Sequence, residues 1–192
     1  MNSKLDYNLT HILFTYLKRY KFQLLIFLIT VAVFVTNYNP GTYLTGWDNL
    51  QTELYPWLNL KRSFFAVWQE YQSFGLVSGL AHASDIVRSL FIWLISTILP
   101  QNTVRYVFHF LMVLIGGLGI FSLLNTLWFE DKKIYSFIGA LFYMLNLGTI
   151  QIFYVPYEAF SVFFAFLPLE TWIFLKLLES KNKNNLFLFL LI

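Results

Sequence analysis

Apolar residues along this chain gather in long runs separated by short charged clusters, a pattern of membrane-spanning helices rather than of alternating strands. Phe22 to Trp47 contains no charged residue, and its heart, Phe22 to Thr36, is almost wholly apolar. A helix rising roughly 1.5 Å per residue needs about 20 such residues to cross a hydrocarbon layer about 30 Å thick. The first run therefore predicts a span over 22–36. Tyr106 to Phe129 and Ile134 to Tyr157 are also uncharged, and Ala159 to Leu178 carries only Glu170 and Lys176. They predict further spans over 105–127, 134–153 and 159–176. A fresh apolar run, 186–192, is too short to cross and reads as the start of a fifth span. The sequence is accordingly expected to be a single membrane domain over 1–192, the N-terminal piece of a larger protein.

Ser89 to Val104 is uncharged but shorter, with an apolar heart from Leu90 to Leu99 closed by Pro100. Charge placement decides how to read it. If it crossed the membrane, Lys132, Lys133, Lys181 and Lys183 would all lie outside, against the positive-inside bias. If it stays on the outer surface as an interfacial or re-entrant helix, all four join Lys4, Lys18, Arg19 and Lys21 in the cytoplasm. The second arrangement is expected: N-terminus cytoplasmic, first span outward, then inward, outward and inward. No small-residue cleavage site follows Thr36, so the first span reads as an uncleaved anchor.

This order leaves a long extracytoplasmic loop over 37–102. Within it Leu50, Leu54, Trp57, Leu58, Phe64, Phe65 and Trp68 recur at helical spacing, with Glu53, Lys61, Arg62 and Glu70 between them. The segment should lie flat on the bilayer. Pro56 divides it into a short helix near Asp48 to Tyr55 and a second from Trp57 to Tyr71. The expected fold class is thus all-α, a polytopic transmembrane bundle whose first loop carries interfacial amphipathic helices.

Composition agrees. Of 192 residues, 58% are hydrophobic, 21% aromatic and 12% charged, and mean hydropathy is +0.60. A multi-pass protein of the cell membrane is implied, with the lipid bilayer as its first partner. The net charge of +3 is what cytoplasmic loops carry under the positive-inside rule and calls for no nucleic acid. Zero cysteines exclude disulfides, thiolate nucleophiles and Cys-ligated metal centres. There is no P-loop, no G-x-S-x-G elbow and no H-E-x-x-H, which leaves ATP-driven transport and metalloprotease chemistry without local support.

Candidate chemistry collects outside the membrane, at the depth of the lipid phosphates. Asp48, in Gly46-Trp47-Asp48-Asn49, suits two roles: N-cap of the following helix, or general base acting on a membrane-anchored substrate. Glu158, in the short outer turn after Tyr154, either completes a carboxylate pair with Asp48 or is a polar residue at a helix start. Lys61, Arg62 and Arg88 offer donors to a phosphate headgroup, Arg with a bidentate fork; singly, each also suits a polar face snorkelling among ordinary lipids. His82 and Asp85, three apart, would share a helix face and pair or hold a metal ion, although Asp85 also suits a helix cap. Glu170, two residues past Pro168, lies inside a span, where an ionisable group is costly and functionally suspect, although near the cytoplasmic half it also suits snorkelling or pairing with Lys176; His109, in the second span, also suits a satisfied polar group between helices. Gly116-Gly117-Leu118-Gly119 lies mid-span and reads as close helix packing.

With these residues laid out, the chain resembles the N-terminal half of the GT-C membrane glycosyltransferases, especially bacterial YfhO-like and arabinofuranosyltransferase-like proteins. The resemblance rests on an anchor helix and an outer loop opening with Gly46-Trp47-Asp48. Tyr55-Pro56 then leads into a basic helix with Lys61-Arg62, followed by Phe74-Gly75, Gly79 and Leu99-Pro100. It continues through the glycines at 116, 117 and 119, Gly139-Ala140-Leu141-Phe142-Tyr143 and Leu167-Pro168-Leu169. The resemblance implies transfer of a sugar from a polyprenyl-phosphate donor to an extracytoplasmic glycan, lipid or protein acceptor. It also implies a first-loop acidic residue acting as base or associated with a divalent metal ion, and Asp48 occupies that place. Lys61, Arg62 or Arg88 would stabilise the leaving lipid phosphate. The chain departs from the pattern in having Trp-Asp-Asn where paired acidic residues stand. A transporter or lipid flippase with a midplane site is the second expectation, motivated by Glu170 beside Pro168 and by the span glycines. A non-catalytic membrane protein is the third.

Overall fold

A computed structural model of the protein describes residues 2–46, 54–65, 68–69, 74–77, 85–155 and 157–180. Among them are seven helices: α1 (Asn2–Asn37), α2 (Pro56–Phe65), α3 (Ile86–Ser96), α4 (Gln101–Leu127), α5 (Lys133–Leu145), α6 (Leu147–Tyr154) and α7 (Glu158–Ser180). A two-residue strand pair, β1 (Trp68–Gln69) with β2 (Leu76–Val77), lies between α2 and α3. Three helical stretches are long and apolar enough to cross a membrane: Thr15–Asn37, Gln101–Leu127 and Glu158–Glu179. These contain the runs expected at 22–36, 105–127 and 159–176. The run expected to start a fifth span, 186–192, lies outside the described residues.

The chain forms two compact units, one from Met1–Asn37 with Phe110–Ile192 and one from Tyr38–His109. In the first, Ile26 of α1, Val113 and Phe121 of α4, and Ala140 and Met144 of α5 make a buried core, with Phe22 and Phe137 packed against it. The glycines of α4 bring its neighbours close. A Cβ on Gly117 would strike the Met144 thioether, and one on Gly116 would come 2.5 Å from the Phe164 ring of α7. The α1 helix ends where Asn37 Nδ2 donates to the Val33 carbonyl at 2.7 Å, closing carbonyls that have no further helical partner. Gly41, at a φ of 77°, then turns the chain.

The span expected over 134–153 is not one helix. α5 and α6 meet at a bend of 42°, because Asn146 is extended (φ −71°, ψ 159°) and caps α6 by accepting from the Thr149 amide. Its Nδ2 donates to the carbonyls of Phe142 and Tyr143, and Thr149 Oγ1 donates to the Tyr143 carbonyl at 2.7 Å. Backbone groups released by the break are thus satisfied by side chains, as a low-dielectric setting demands. Asn146→Ala is expected to destabilise the protein by about 1–2 kcal/mol, and Thr149→Val by less, since Tyr143 O keeps the Asn146 donor. Unfolding midpoints in mixed micelles titrated with dodecyl sulfate would rank them; a Thr149→Val cost above that of Asn146→Ala would remove Asn146 as the organiser of the bend.

In the second unit α2 and α3 pack antiparallel. Trp57 meets Trp93, ring centroids 6.1 Å apart, and Ser63 Oγ donates to Ser89 Oγ at 3.3 Å. Leu60 and Ser63 are the buried residues of α2, Ser89 and Ile92 those of α3. Each pair is three apart, so each lies on one helix face. α2 begins at Pro56, whose missing N–H costs nothing at a helix start. The helix expected to run from Trp57 to Tyr71 stops at Phe65 instead. Trp68 and Gln69 pair with Val77 and Leu76, of which Trp and Val favour a pleated strand, and Gly75 at a φ of 101° serves the turn between them. Leu54 and Tyr55 form a turn; the rest of the helix expected near Asp48 to Tyr55 lies outside the described residues. The run at 89–104 is divided between two helices. α3 has 11 residues, about 16 Å and half of a hydrocarbon layer, and α4 starts afresh after Pro100.

Candidate functional site

The polar chemistry of the second unit begins at its two ends in sequence. Just after α1, Tyr38 OH bonds Thr103 Oγ1 at 2.8 Å, Thr42 Oγ1 bonds Tyr106 OH at 3.1 Å, and Tyr43 OH donates to Gln101 Oε1 at 3.1 Å. Gln101 Nε2 in turn donates to the Leu54 carbonyl. Residues 38–43 are in this way laced to the first turns of α4. The Tyr38 and Tyr106 rings meet edge to face, 5.1 Å apart, so apolar contact supports each hydroxyl bond.

Arg62 and Arg88 come to the same end of the α2–α3 pair. Arg62 lies in the last turn of α2 and Arg88 in the first turn of α3, each next to one member of the Ser63–Ser89 contact. Lys61 is exposed on α2 and Arg62 is half-buried. Arg88 Nη2 reaches Asp85 Oδ2 at 2.6 Å. Asp85 occupies the N-cap position of α3 but makes no side-chain cap bond; its carboxylate turns to Arg88, three residues on, in a bond whose two partners are both charged. The expected cap is therefore an orienting partner.

Two of the expected site residues, Asp48 and His82, lie outside the described residues. Glu158 is the first residue of α7, where a carboxylate suits the positive end of the helix dipole, and it is only 4% exposed. It belongs to the first unit. Among the described residues no group of three or more His, Asp or Glu side chains is placed to hold a metal ion.

Arg105 and His109 were not singled out together from sequence. They stand one turn apart on α4 and are 3% and 2% exposed. Phe108, next to His109, packs on Phe91 of α3 at 6.1 Å. In sequence Arg105 stands only at the first position of the span expected over 105–127. Its spacing of four from His109 within an apolar helix was the available signal that the two share one face.

Among the described residues of the second unit, Arg62, Arg88 and Arg105 thus supply cationic donors, and Asp85 is the acidic partner of Arg88. Arg88 is held in place by that partner, which lowers the ordering cost of binding an anion. Phosphate oxygens, like carboxylates, match the guanidinium fork. Neither a protein-family model, nor a curated protein, nor a solved structure matches this chain.

Proposed function

We propose that the chain is the N-terminal part of a GT-C-type membrane glycosyltransferase, moving a sugar from a polyprenyl-phosphate donor to an extracytoplasmic acceptor. In this reading the N-terminus is cytoplasmic. α1 crosses outward, residues 37–102 are extracytoplasmic, α4 returns inward, the α5–α6 pair leads outward and α7 inward. The distribution of lysines and arginines supports that order. Asp48 acts as base, and Lys61, Arg62 and Arg88 face the lipid-linked phosphate. The observation that carries the reading is the oriented guanidinium of Arg88, fixed by Asp85 beside Arg62 at one end of α2 and α3. A leaving phosphate gains charge in the transition state, and donors already in place stabilise it without reorganisation.

The test is transfer from labelled polyprenyl-phospho-sugars in membranes containing the full-length protein. Arg88→Gln should raise KM for the donor about ten- to a hundredfold, the worth of a charged hydrogen bond, with Arg88→Lys recovering part of the loss. Unchanged donor kinetics in Arg88→Gln would remove Arg88 from the site. The break at Asn146 favours one alternative, a transporter or lipid flippase, since such proteins build sites on broken helices. Absence of transfer by wild type across a donor panel, together with lipid or solute movement, would establish it.

A further inference from the structure

α1 is too long for its task. Its 36 residues extend about 54 Å, against about 30 Å of hydrocarbon. The helical geometry is interrupted once, at Tyr20, whose φ of −107° and ψ of 17° are non-helical. Beyond Tyr20, Lys21 to Asn37 covers about 25 Å, at the lower limit of a span, and carries the apolar run. Before it, the sequence changes character: Leu5, Leu9, Leu13, Tyr16, Leu17 and Tyr20 recur at helical spacing, separated by Lys4, Asn8, His11, Thr15, Lys18 and Arg19. Such a helix, apolar along one stripe and largely polar elsewhere, with Lys4, Lys18 and Arg19 against the single acid Asp6, lies in a membrane surface rather than across it.

The side chains nearest the joint fit that placement. Tyr16 and Leu17 are 58% and 53% exposed, so their apolar surface is available to a bilayer interface. Tyr16 stacks on Tyr20, ring centroids 6.3 Å apart and nearly parallel, the aromatic pairing of a headgroup layer. Arg19 lies over the Tyr20 ring at 5.5 Å, and Lys21 Nζ over the Phe22 ring at 4.8 Å. Lys18, Arg19 and Lys21 are all exposed. Three cations beside two exposed aromatics complement a layer of anionic lipid phosphates, to which each basic residue adds about a fivefold gain in affinity.

We propose that the part of α1 before Tyr20 is an in-plane helix docked on anionic lipid headgroups, and that Tyr20 is the joint between it and the spanning part. The inference rests on α1 crossing the membrane and is independent of the sugar-transfer reading.

The chain has no cysteine, so single cysteines carry a fluorescent label without further change. Labels at Asn8, Leu9, Leu13, Thr15 and Leu28 would be read in the full chain reconstituted into vesicles. One set of vesicles is neutral phosphatidylcholine; the other also contains phosphatidylglycerol. Spin-labelled lipids with the quencher near the headgroup or deep in the acyl chain report depth. In anionic vesicles, labels at Leu9 and Leu13 should be quenched by the shallow lipid at least about threefold more than labels at Asn8 and Thr15, a periodic pattern of one buried stripe. In neutral vesicles, and in the triple variant Lys18→Gln, Arg19→Gln, Lys21→Gln, that contrast should disappear. Equal quenching along Asn8 to Thr15, deep quenching at Leu9 and Leu13, or a contrast indifferent to both lipid charge and the triple variant would each overturn the proposal. The Leu28 label separates the two levels of the argument: deep quenching there shows that α1 spans, whatever the first half does, and its absence removes the span itself.

Discussion

Asp48→Asn in the full-length protein is expected to lower sugar transfer about a hundred- to ten-thousandfold while leaving insertion and abundance unchanged. That range is what a positioned general base contributes. Asn keeps the size of the side chain and the oxygen that caps a helix, but not the capacity to take a proton, so the substitution separates the two roles Asp48 can fill. The loss should fall on kcat, whereas Arg88→Gln acts on donor KM. A residue that only orders the loop would move both together. Equal transfer by wild type and Asp48→Asn, at matched expression, would reduce Asp48 to a cap.

Gly116→Val should produce the largest loss of stability. A Cβ at Gly116 would meet Phe164 Cε1 at 2.5 Å and the Phe164 carbonyl oxygen at 3.1 Å, and neither is free to retreat. The Phe164 ring stacks on Tyr143 at 4.3 Å and meets Phe153 edge to face at 5.2 Å, while its carbonyl accepts from Tyr143 OH at 2.8 Å. Forcing a β-branched side chain into this contact costs about 3 kcal/mol, the upper end for overpacking. Gly117→Ala meets the Met144 thioether instead, a flexible group that moves aside, and should cost under about 1 kcal/mol. Dodecyl sulfate titration of the purified protein checks both. A Gly116→Val midpoint equal to wild type would mean that α4 and α7 do not approach there in the membrane.

Much of the helical plan was legible because hydrocarbon imposes a length and forbids charge, and both are properties of residue runs. The runs at 22–36, 105–127 and 159–176 all fall within helices long enough to span. The glycines at 116 and 117 sit at close helix contacts, as their place in a span suggested. What was illegible depends on side-chain geometry. Asn146-Leu147-Gly148-Thr149 carries no charge, so a hydropathy reading runs through it, although one amide and one hydroxyl end α5 and begin α6. Trp68 continues the apolar stripe of α2 in sequence, and only its pairing with Val77 withdraws it. Likewise Asp85 suits a cap by type, and its choice of Arg88 is a matter of reach. The contact of Ser63 with Ser89 joins residues far apart in the chain, each unremarkable alone.

The division of the chain has a consequence in time. Ile26 of α1 is buried against Val113 of α4 and Met144 of α5, residues synthesised only after the whole of the intervening unit, Tyr38–His109. At the ordinary pace of translation that interval is on the order of ten seconds. A helix waiting so long in water with its apolar side uncovered would be an aggregation hazard. In a bilayer the wait is harmless, because acyl chains solvate Leu and Phe as well as another helix does, and inserted helices associate afterwards. α1 is suited to this order of events: only 11% of its apolar window is buried within the protein, which leaves most of that helix surface available to lipid before and after its partners arrive.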